Sequence, residues 1–140
     1  MKRFVAGIFV AVIVPLLFSC GRKEGKFVLL GPSTTNVHFN NVIIQDDSVN
    51  VFDFPNIFNG GGVGIGDFNN DGLEDLYFTG NRVPNKLYLN KGEMEFRDVT
   101  DIAAVDGGGV WSRGVAVVDI NNDGWLDIYV CATAAVGAEK

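Results

Sequence analysis

Apolar and polar positions alternate in short stretches along most of the chain, and this pattern predicts β-strands rather than long helices. Residues 85–90 alternate as expected for a strand with one buried face. The continuous apolar run at residues 115–118 is rich in β-branched side chains and predicts a fully buried strand. A turn at Lys91-Gly92 predicts a returning strand within residues 94–100. Further strands are expected at residues 75–79 and 127–130 and, upstream, at residues 27–30, 42–44 and 49–54.

An internal repeat organises this pattern. Residues 62–80 align with residues 114–132 without a gap and share nine of 19 residues, and Asp67 lies 52 positions before its equivalent Asp119. A period of this size is typical of β-propeller blades, which take about 40–50 residues each. The sequence therefore predicts an all-β, incomplete β-propeller of about one and a half blades, since a closed propeller needs about 4–8.

Each repeat contains an acidic loop of the form D-x-N-x-D-G-x-x-D, at residues 67–75 and 119–127. Ca²⁺ takes about 6–8 oxygen ligands, and such a loop offers side chains at positions 1, 3, 5 and 9 and a carbonyl at position 7. Mg²⁺ fits less well because it requires a stricter octahedron. The alternative is a solvated turn without metal. The predicted Ca²⁺ ligands are Asp67, Asn69, Asp71, the Leu73 carbonyl and Asp75, and then Asp119, Asn121, Asp123, the Trp125 carbonyl and Asp127.

The first six positions of each loop also match an EF-hand, but the remainder does not. An EF-hand requires a bidentate Glu at position 12, where this chain has Phe78 or Val130. A strand-like segment rather than a helix follows each loop. An EF-hand is therefore excluded.

The N-terminus has the pattern of an export signal. Lys2 and Arg3 precede an uncharged apolar run of 15 residues at 4–18, which is shorter than the roughly 20 residues of a spanning helix and suits a signal peptide. The sequence Leu17-Phe18-Ser19-Cys20 resembles the lipobox of bacterial lipoproteins, and this resemblance implies lipidation of Cys20. The alternatives are an ordinary secreted protein cut near Ser19 or a short membrane anchor.

The predicted organisation of the whole chain is a lipoprotein signal peptide at 1–19, a tether at 20–26, N-terminal strands at 27–58 and the repeats at 59–140.

The charge balance narrows the choice of partners. The chain has 17 acidic and 11 basic residues, for a net charge of −6, which argues against a nucleic-acid partner and is compatible with bound cations. Its two cysteines, Cys20 and Cys131, provide no disulfide framework. Because Cys131 lies in an apolar strand, it is predicted to be buried.

Several other side chains are candidates for packing or binding. His38, the single histidine, has no catalytic constellation beside it in the sequence. Trp111 is predicted to pack between blades, and the alternative is stacking on a ligand such as a sugar. Phe52, Phe54 and Phe58 either cap the first blade or fill its core.

Three features of the sequence resemble the FG-GAP, or VCBS, repeat proteins, and more narrowly the ASPIC/UnbV and cartilage-acidic-protein group. They are the glycine-rich segment before the first loop, the two acidic loops and the motif at residues 85–90. This resemblance covers roughly residues 37–130. It implies a β-propeller, commonly seven-bladed, with Ca²⁺ in its blade loops. Members of the family are usually exported or surface-attached and mostly serve in binding or adhesion.

Together these observations predict a non-enzymatic, calcium-binding module that is lipid-anchored to the bacterial cell envelope and binds an unknown protein or glycan. The missing blades are expected from a longer chain, of which this is an N-terminal part, or from a partner. One alternative is a fragment of a calcium-containing, polysaccharide-active enzyme. Another is an assembly module that completes its sheet with partner chains.

Overall fold

The computed structural model describes residues 26–133, which form six strands and two single-turn helices. The predicted signal peptide, Cys20 and nearly all of the tether lie outside these residues. No helix within residues 26–133 combines the length and apolar character needed to cross a membrane. The elements are α1 (Pro32–Thr35), β1 (Val63–Gly66), β2 (Asp75–Phe78), β3 (Lys86–Asn90), β4 (Phe96–Asp98), α2 (Thr100–Ala103), β5 (Trp111–Val118) and β6 (Asp127–Thr133).

The first four strands form one antiparallel sheet in the order β1-β2-β3-β4. In this sheet Ile65 pairs with Leu76, Leu76 with Tyr88, and Tyr88 with Asp98. Glu93 and Met94 adopt positive φ in the turn after β3, and α2 begins at Thr100, so the returning strand is shorter than the predicted residues 94–100. This sheet corresponds to the one complete blade of the predicted one and a half blades.

The second sheet is the antiparallel hairpin of β5 and β6, and loop 119–127 connects its strands. The loop at 67–75 connects β1 to β2 in the same way. The described residues are thus mostly β, with one four-stranded sheet and half of a second. The predicted all-β, propeller-like fold is confirmed.

The two sheets pack through a face of β1 that lacks side chains. A Cβ atom on Gly64 would lie 2.9 Å from Val117 Cγ2, and one on Gly66 would lie 2.8 Å from Leu126 Cδ1. Glycine at alternate positions therefore allows β5 to approach β1 closely. Tyr77, Leu87 and Val99 form the adjoining core, against which Val115, Ile128 and Val130 pack.

The strands predicted in the N-terminal segment are absent. Residues 27–30 and 42–44 are irregular, and residues 49–54 belong mostly to turns. Phe52 is 93% exposed, because the Asn50 side chain accepts hydrogen bonds from the N–H groups of Phe52 and Asp53 and folds this segment into a turn. These segments are apolar enough to form strands, but neither sheet of the described residues pairs with them. Phe58 is also exposed, whereas Phe54 packs on a small cluster of Val49, Ile57 and Trp111.

Two burial predictions are wrong for one shared reason. Residues 115–118 are not fully buried: Val115 and Val117 are partly buried, whereas Ala116 and Val118 are exposed. Cys131 is likewise exposed on β6. Within the described part of the chain only one face of the β5–β6 hairpin is covered, so alternate side chains face outward. Trp111 is 5% exposed, but it packs against Val49 and Ile57 of the N-terminal segment and not, as predicted, between blades.

Candidate metal centre

The first acidic loop is folded by its own carboxylates and amides. Asp67 accepts hydrogen bonds from the N–H groups of Asp71 and Gly72 at 3.0 and 2.7 Å. Asn69 Oδ1 accepts from the Asp71 N–H at 3.0 Å, and Asp71 Oδ1 accepts from the Leu73 N–H at 2.9 Å. Gly72 has φ of 87°, a value that side chains disfavour and that the tight turn requires.

The second loop has the same hydrogen-bond pattern. Asp119 accepts from the N–H groups of Asp123 and Gly124 at 3.1 and 2.9 Å. Asn121 accepts from Asp123 at 3.0 Å, and Asp123 accepts from Trp125 at 2.9 Å. Since corresponding distances agree closely and the two sequences share their polar positions, the loops are two copies of one substructure.

The last predicted ligand of each loop also closes that loop. Asp75 Oδ2 accepts from the Phe68 N–H, and Asp127 Oδ2 accepts from the Ile120 N–H, both at 3.0 Å. Asp75 is fully buried, and its second oxygen accepts from the Asn90 N–H on β3 at 2.8 Å. Burial raises the pKa of Asp75 above its ordinary value; the two N–H groups oppose this shift, and the charges of Asp71 and Asp67 add to it.

The loop carboxylates have no basic partner in the described residues. The ion pairs found there join Arg82 to Asp46 and Lys86 to Asp98, and neither involves a loop. The predicted ligands of each loop therefore include three carboxylates and an amide oxygen without a compensating side-chain charge, and loop one also contains Glu74. Hard oxygen donors of this kind fit Ca²⁺.

The predicted ligands share a loop but do not converge on one point. Among residues 26–133 no three His, Cys, Asp or Glu side chains are grouped closely enough to hold a metal ion. Instead the Asn69 amide donates to Asp71 Oδ2 at 2.8 Å, and the Asn121 amide donates to Asp123 Oδ2 at 2.9 Å. The oxygens of each loop therefore suit a hard cation by their chemical type, but in this arrangement they are not gathered around one point.

Two contacts of the loops were not predicted from the sequence. Asn90 holds loop one through its N–H to Asp75 and through its amide to the Glu74 carbonyl at 3.0 Å. Asn70 joins the loops directly, since its side chain donates to the Gly124 carbonyl at 3.3 Å. These bonds join residues 15, 16 and 54 positions apart in the chain, so the local pattern carries no signal for them. The strands that follow the loops confirm that neither loop is an EF-hand.

Comparison with known proteins identifies the repeat. The sequence profile of the FG-GAP-like repeat matches residues 67–130, which include both loops. Cartilage acidic protein 1 of Xenopus tropicalis is 36% identical over 74 residues, covering 52% of this chain and 11% of that protein. The Homo sapiens protein of the same name is 36% identical over 69 residues, covering 49% of this chain and 10% of its own length. The chain thus spans about a tenth of these relatives. No solved structure matches it. The segment that carries both acidic loops is therefore of the FG-GAP-like repeat type and similar to part of cartilage acidic protein 1.

Proposed function

We propose that this protein is a calcium-stabilised binding module of β-propeller type, anchored by lipid at the bacterial cell envelope. The observation that carries the proposal is the pair of similarly folded acidic loops, which have no basic partner among residues 26–133. An FG-GAP-like repeat also favours an interaction module over an enzyme. The partner is a protein or a glycan, and further blades come from a longer chain or from a partner chain.

The cation has a structural role in this proposal. It neutralises carboxylates that otherwise repel one another, and it replaces the bonds from Asn69 and Asn121 to the neighbouring aspartates. Because each loop connects adjacent strands of a sheet, ordering the loop also fixes the ends of those strands. The residues that hold Ca²⁺ are Asp67, Asn69, Asp71, the Leu73 carbonyl, Asp75, Asp119, Asn121, Asp123, the Trp125 carbonyl and Asp127.

Thermal unfolding of the full chain tests the calcium proposal. Binding at about 100 times the Kd contributes about 2.7 kcal/mol per site, so Ca²⁺ should raise the Tm by several degrees over a chelator, and Mg²⁺ should raise it less. Asp67→Asn combined with Asp119→Asn should abolish most of the shift. Asp101→Asn, an exposed acid on α2, is the control and should leave the shift intact. Equal melting curves with chelator and with Ca²⁺ would reject the proposal.

The lipid anchor has its own test. The intact mass of the native, detergent-extracted protein should exceed the sum of its residues by acyl chains attached at Cys20, and Cys20→Ser should remove that addition. The same intact mass also gives the length of the native protein. A native protein that starts elsewhere than Cys20 and carries no lipid would contradict the anchor.

The edge of β6 supports a second candidate role in assembly. Within residues 26–133, β6 pairs only with β5, and Tyr129 on β6 is 58% exposed. An unpaired edge beside apolar side chains favours addition of a strand from another chain. Light scattering of the full chain tests this role, since a strictly monomeric species would exclude self-assembly through that edge.

A further inference from the structure

The segment that leads into β1 contains a pair of residues with a characteristic reactivity. Asn59 is the only asparagine in the sequence that directly precedes a glycine. The backbone nitrogen of a residue attacks the side-chain carbonyl carbon of a preceding asparagine most readily when that residue is glycine. Glycine has no Cβ to shield the nitrogen, and its backbone reaches conformations that other residues avoid. The sequence therefore marks Asn59 and Gly60 as a candidate site of chemical modification.

Both reacting groups are accessible in the structure. The Asn59 side chain is exposed and makes no hydrogen bond within residues 26–133. The Gly60 N–H also donates to no acceptor in that range, and a Cβ atom placed on Gly60 would meet no atom within 4 Å. Gly60 has a φ of 75°, which glycine adopts without strain. Neither packing nor a hydrogen bond therefore hinders the approach of the Gly60 nitrogen to the Asn59 side chain.

Other positions in the chain lack one of these features. Asn56 is also exposed, and its side chain makes no hydrogen bond in the described part of the chain. The next residue, Ile57, is fully buried, however, and its N–H donates to a backbone carbonyl at 2.9 Å. In the Asp-Gly pairs at residues 71–72 and 123–124, the first aspartate of the loop binds the glycine N–H. A reactive sequence and unhindered groups thus coincide at Asn59.

We infer that Asn59 is a site of spontaneous deamidation and isoaspartate formation. The Gly60 nitrogen bonds to Cγ of Asn59 and loses its proton, and the side-chain nitrogen leaves as ammonia, which gives a five-membered succinimide ring. Water then opens the ring at either carbonyl and yields aspartate or isoaspartate. One water is consumed for each ammonia released, and no oxidant or reductant takes part. The inference goes beyond the proposed function and depends neither on calcium nor on the lipid anchor.

The position of Asn59 gives the modification a structural consequence. The Gly60 carbonyl accepts a hydrogen bond of 3.1 Å from the Asn81 amide, which also donates to the Ser112 carbonyl on β5 at 3.0 Å. Asn81 is 3% exposed, and it exchanges two further hydrogen bonds with Asn41 of the N-terminal segment. Isoaspartate adds one atom to the backbone immediately before Gly60 and so displaces its carbonyl oxygen. The buried Asn81 amide then loses an acceptor, which weakens the connection between the entry to β1 and β5.

Ageing of the folded full chain at mildly alkaline pH tests the site. Peptide mapping with electron-transfer fragmentation distinguishes asparagine, aspartate and isoaspartate at each position. We expect conversion at Asn59 and retention of the amide at Asn56. A synthetic peptide of residues 56–62, aged in parallel, gives the extent of conversion in an unfolded chain. An Asn59 side chain that stays intact in the protein after the peptide has been converted would overturn the inference.

Asn59→Gln separates this reaction from other ageing. Glutamine places the amide one methylene further from the Gly60 nitrogen, so the ring would have six members and should form far more slowly. A protein isoaspartate methyltransferase should therefore transfer much less methyl to the aged variant than to the aged unmodified protein. Equal transfer to both proteins would place the isoaspartate elsewhere and would overturn the assignment to Asn59.

Melting curves test the structural consequence. Protein with isoaspartate at position 59 should melt a few degrees below fresh protein, since a buried amide has lost an acceptor. Asn59→Asp adds the same charge without lengthening the backbone and should melt like fresh protein, as should Asn59→Gln aged in parallel. If the isoaspartate form and Asn59→Asp melt together, the bond between Gly60 and Asn81 is undisturbed and the consequence is wrong. The Ca²⁺-dependent change in Tm tests the proposed function separately.

Discussion

The side-chain amide of Asn70 in the first acidic loop donates a hydrogen bond of 3.3 Å to the carbonyl oxygen of Gly124 in the second. The residues are 54 positions apart in the chain. Gly124 is the turn glycine of loop two, and its N–H is bound by Asp119. The bond therefore connects the first acidic loop directly to the turn of the second.

We predict that this bond couples cation binding at the two loops. Disabling loop one with Asp67→Asn should weaken the binding of Tb³⁺, a Ca²⁺ substitute, at loop two by about two- to tenfold, in line with the worth of one hydrogen bond. In a protein that already carries Asn70→Ala, adding Asp67→Asn should have little effect on the binding of Tb³⁺ at loop two. Luminescence is sensitised by Trp125, which lies in loop two, and in the proteins that carry Asp67→Asn the signal comes from loop two because loop one is disabled.

Asn122→Ala is the matched control for this coupling. Asn122 holds the equivalent position in loop two and has φ of 60°, close to the 56° of Asn70, so alanine imposes a similar backbone cost at both positions. The described residues show no bond from Asn122 to loop one. Equal coupling in Asn70→Ala and Asn122→Ala proteins would contradict a role for the Asn70 bond.

The glycine face of β1 gives a prediction about stability. Gly64→Ala would place a methyl group 2.9 Å from Val117 Cγ2 and 3.3 Å from Val115 Cγ2. Valine side chains are stiff, so the strands must separate, at a cost of about 1–3 kcal/mol. Denaturant unfolding should show a lower midpoint. Gly114→Ala, whose Cβ would meet only Cys131 Cβ at an ordinary 3.9 Å, should be nearly neutral. Equal midpoints for the two variants would mean that the sheets are not packed this closely.

The pH dependence of stability contains a contribution from Asp98. Burial opposes ionisation of this carboxyl group, but hydrogen bonds from Thr100 and Lys86 outweigh it and hold its pKa below the ordinary value. A lowered pKa in the folded state stabilises the protein above about pH 3.9, and this stabilisation is lost as the pH falls through the folded-state pKa. Because both side chains of the ion pair are partly exposed, the expected size is about 0.5–1 kcal/mol.

Asp98→Asn measures that contribution directly. Its Tm should lie a few degrees below that of the unmodified protein at pH 7, and the gap should narrow as the pH falls below about 3.9 and close once the pH is below the folded-state pKa, because the carboxyl group is then neutral in both states. Asp101→Asn, an exposed neighbour, should show no gap at either pH. A gap of constant size across this range would assign the effect to packing instead of charge.

The elements predicted correctly are those with local signals. Alternation at residues 85–90, the Lys91-Gly92 turn and the duplicated loop motif each act within a few residues, and β3, the β3–β4 turn and both loops appear where these signals place them. Hairpin neighbours in the sequence are also neighbours in the sheet, so local pattern was sufficient for the first blade.

The predictions that failed required knowledge of distant contacts. Residues 42–44 are as apolar as a strand, but no sheet edge pairs with them. Cys131 lies in an apolar strand whose outer face nothing covers in residues 26–133. The same holds for the site: the candidate loop ligands could be listed from their spacing, whereas the contacts of Asn90 and the Asn70–Gly124 bond depend on how separate segments meet.

Isothermal titration calorimetry of the full chain with Ca²⁺ tests the central claim most directly. We predict two bound ions per chain, one after Asp67→Asn or Asp119→Asn, and none after both. A chain that remains folded but takes up no Ca²⁺ at millimolar concentration would contradict the account, because the acidic loops would then be turns held only by their own hydrogen bonds.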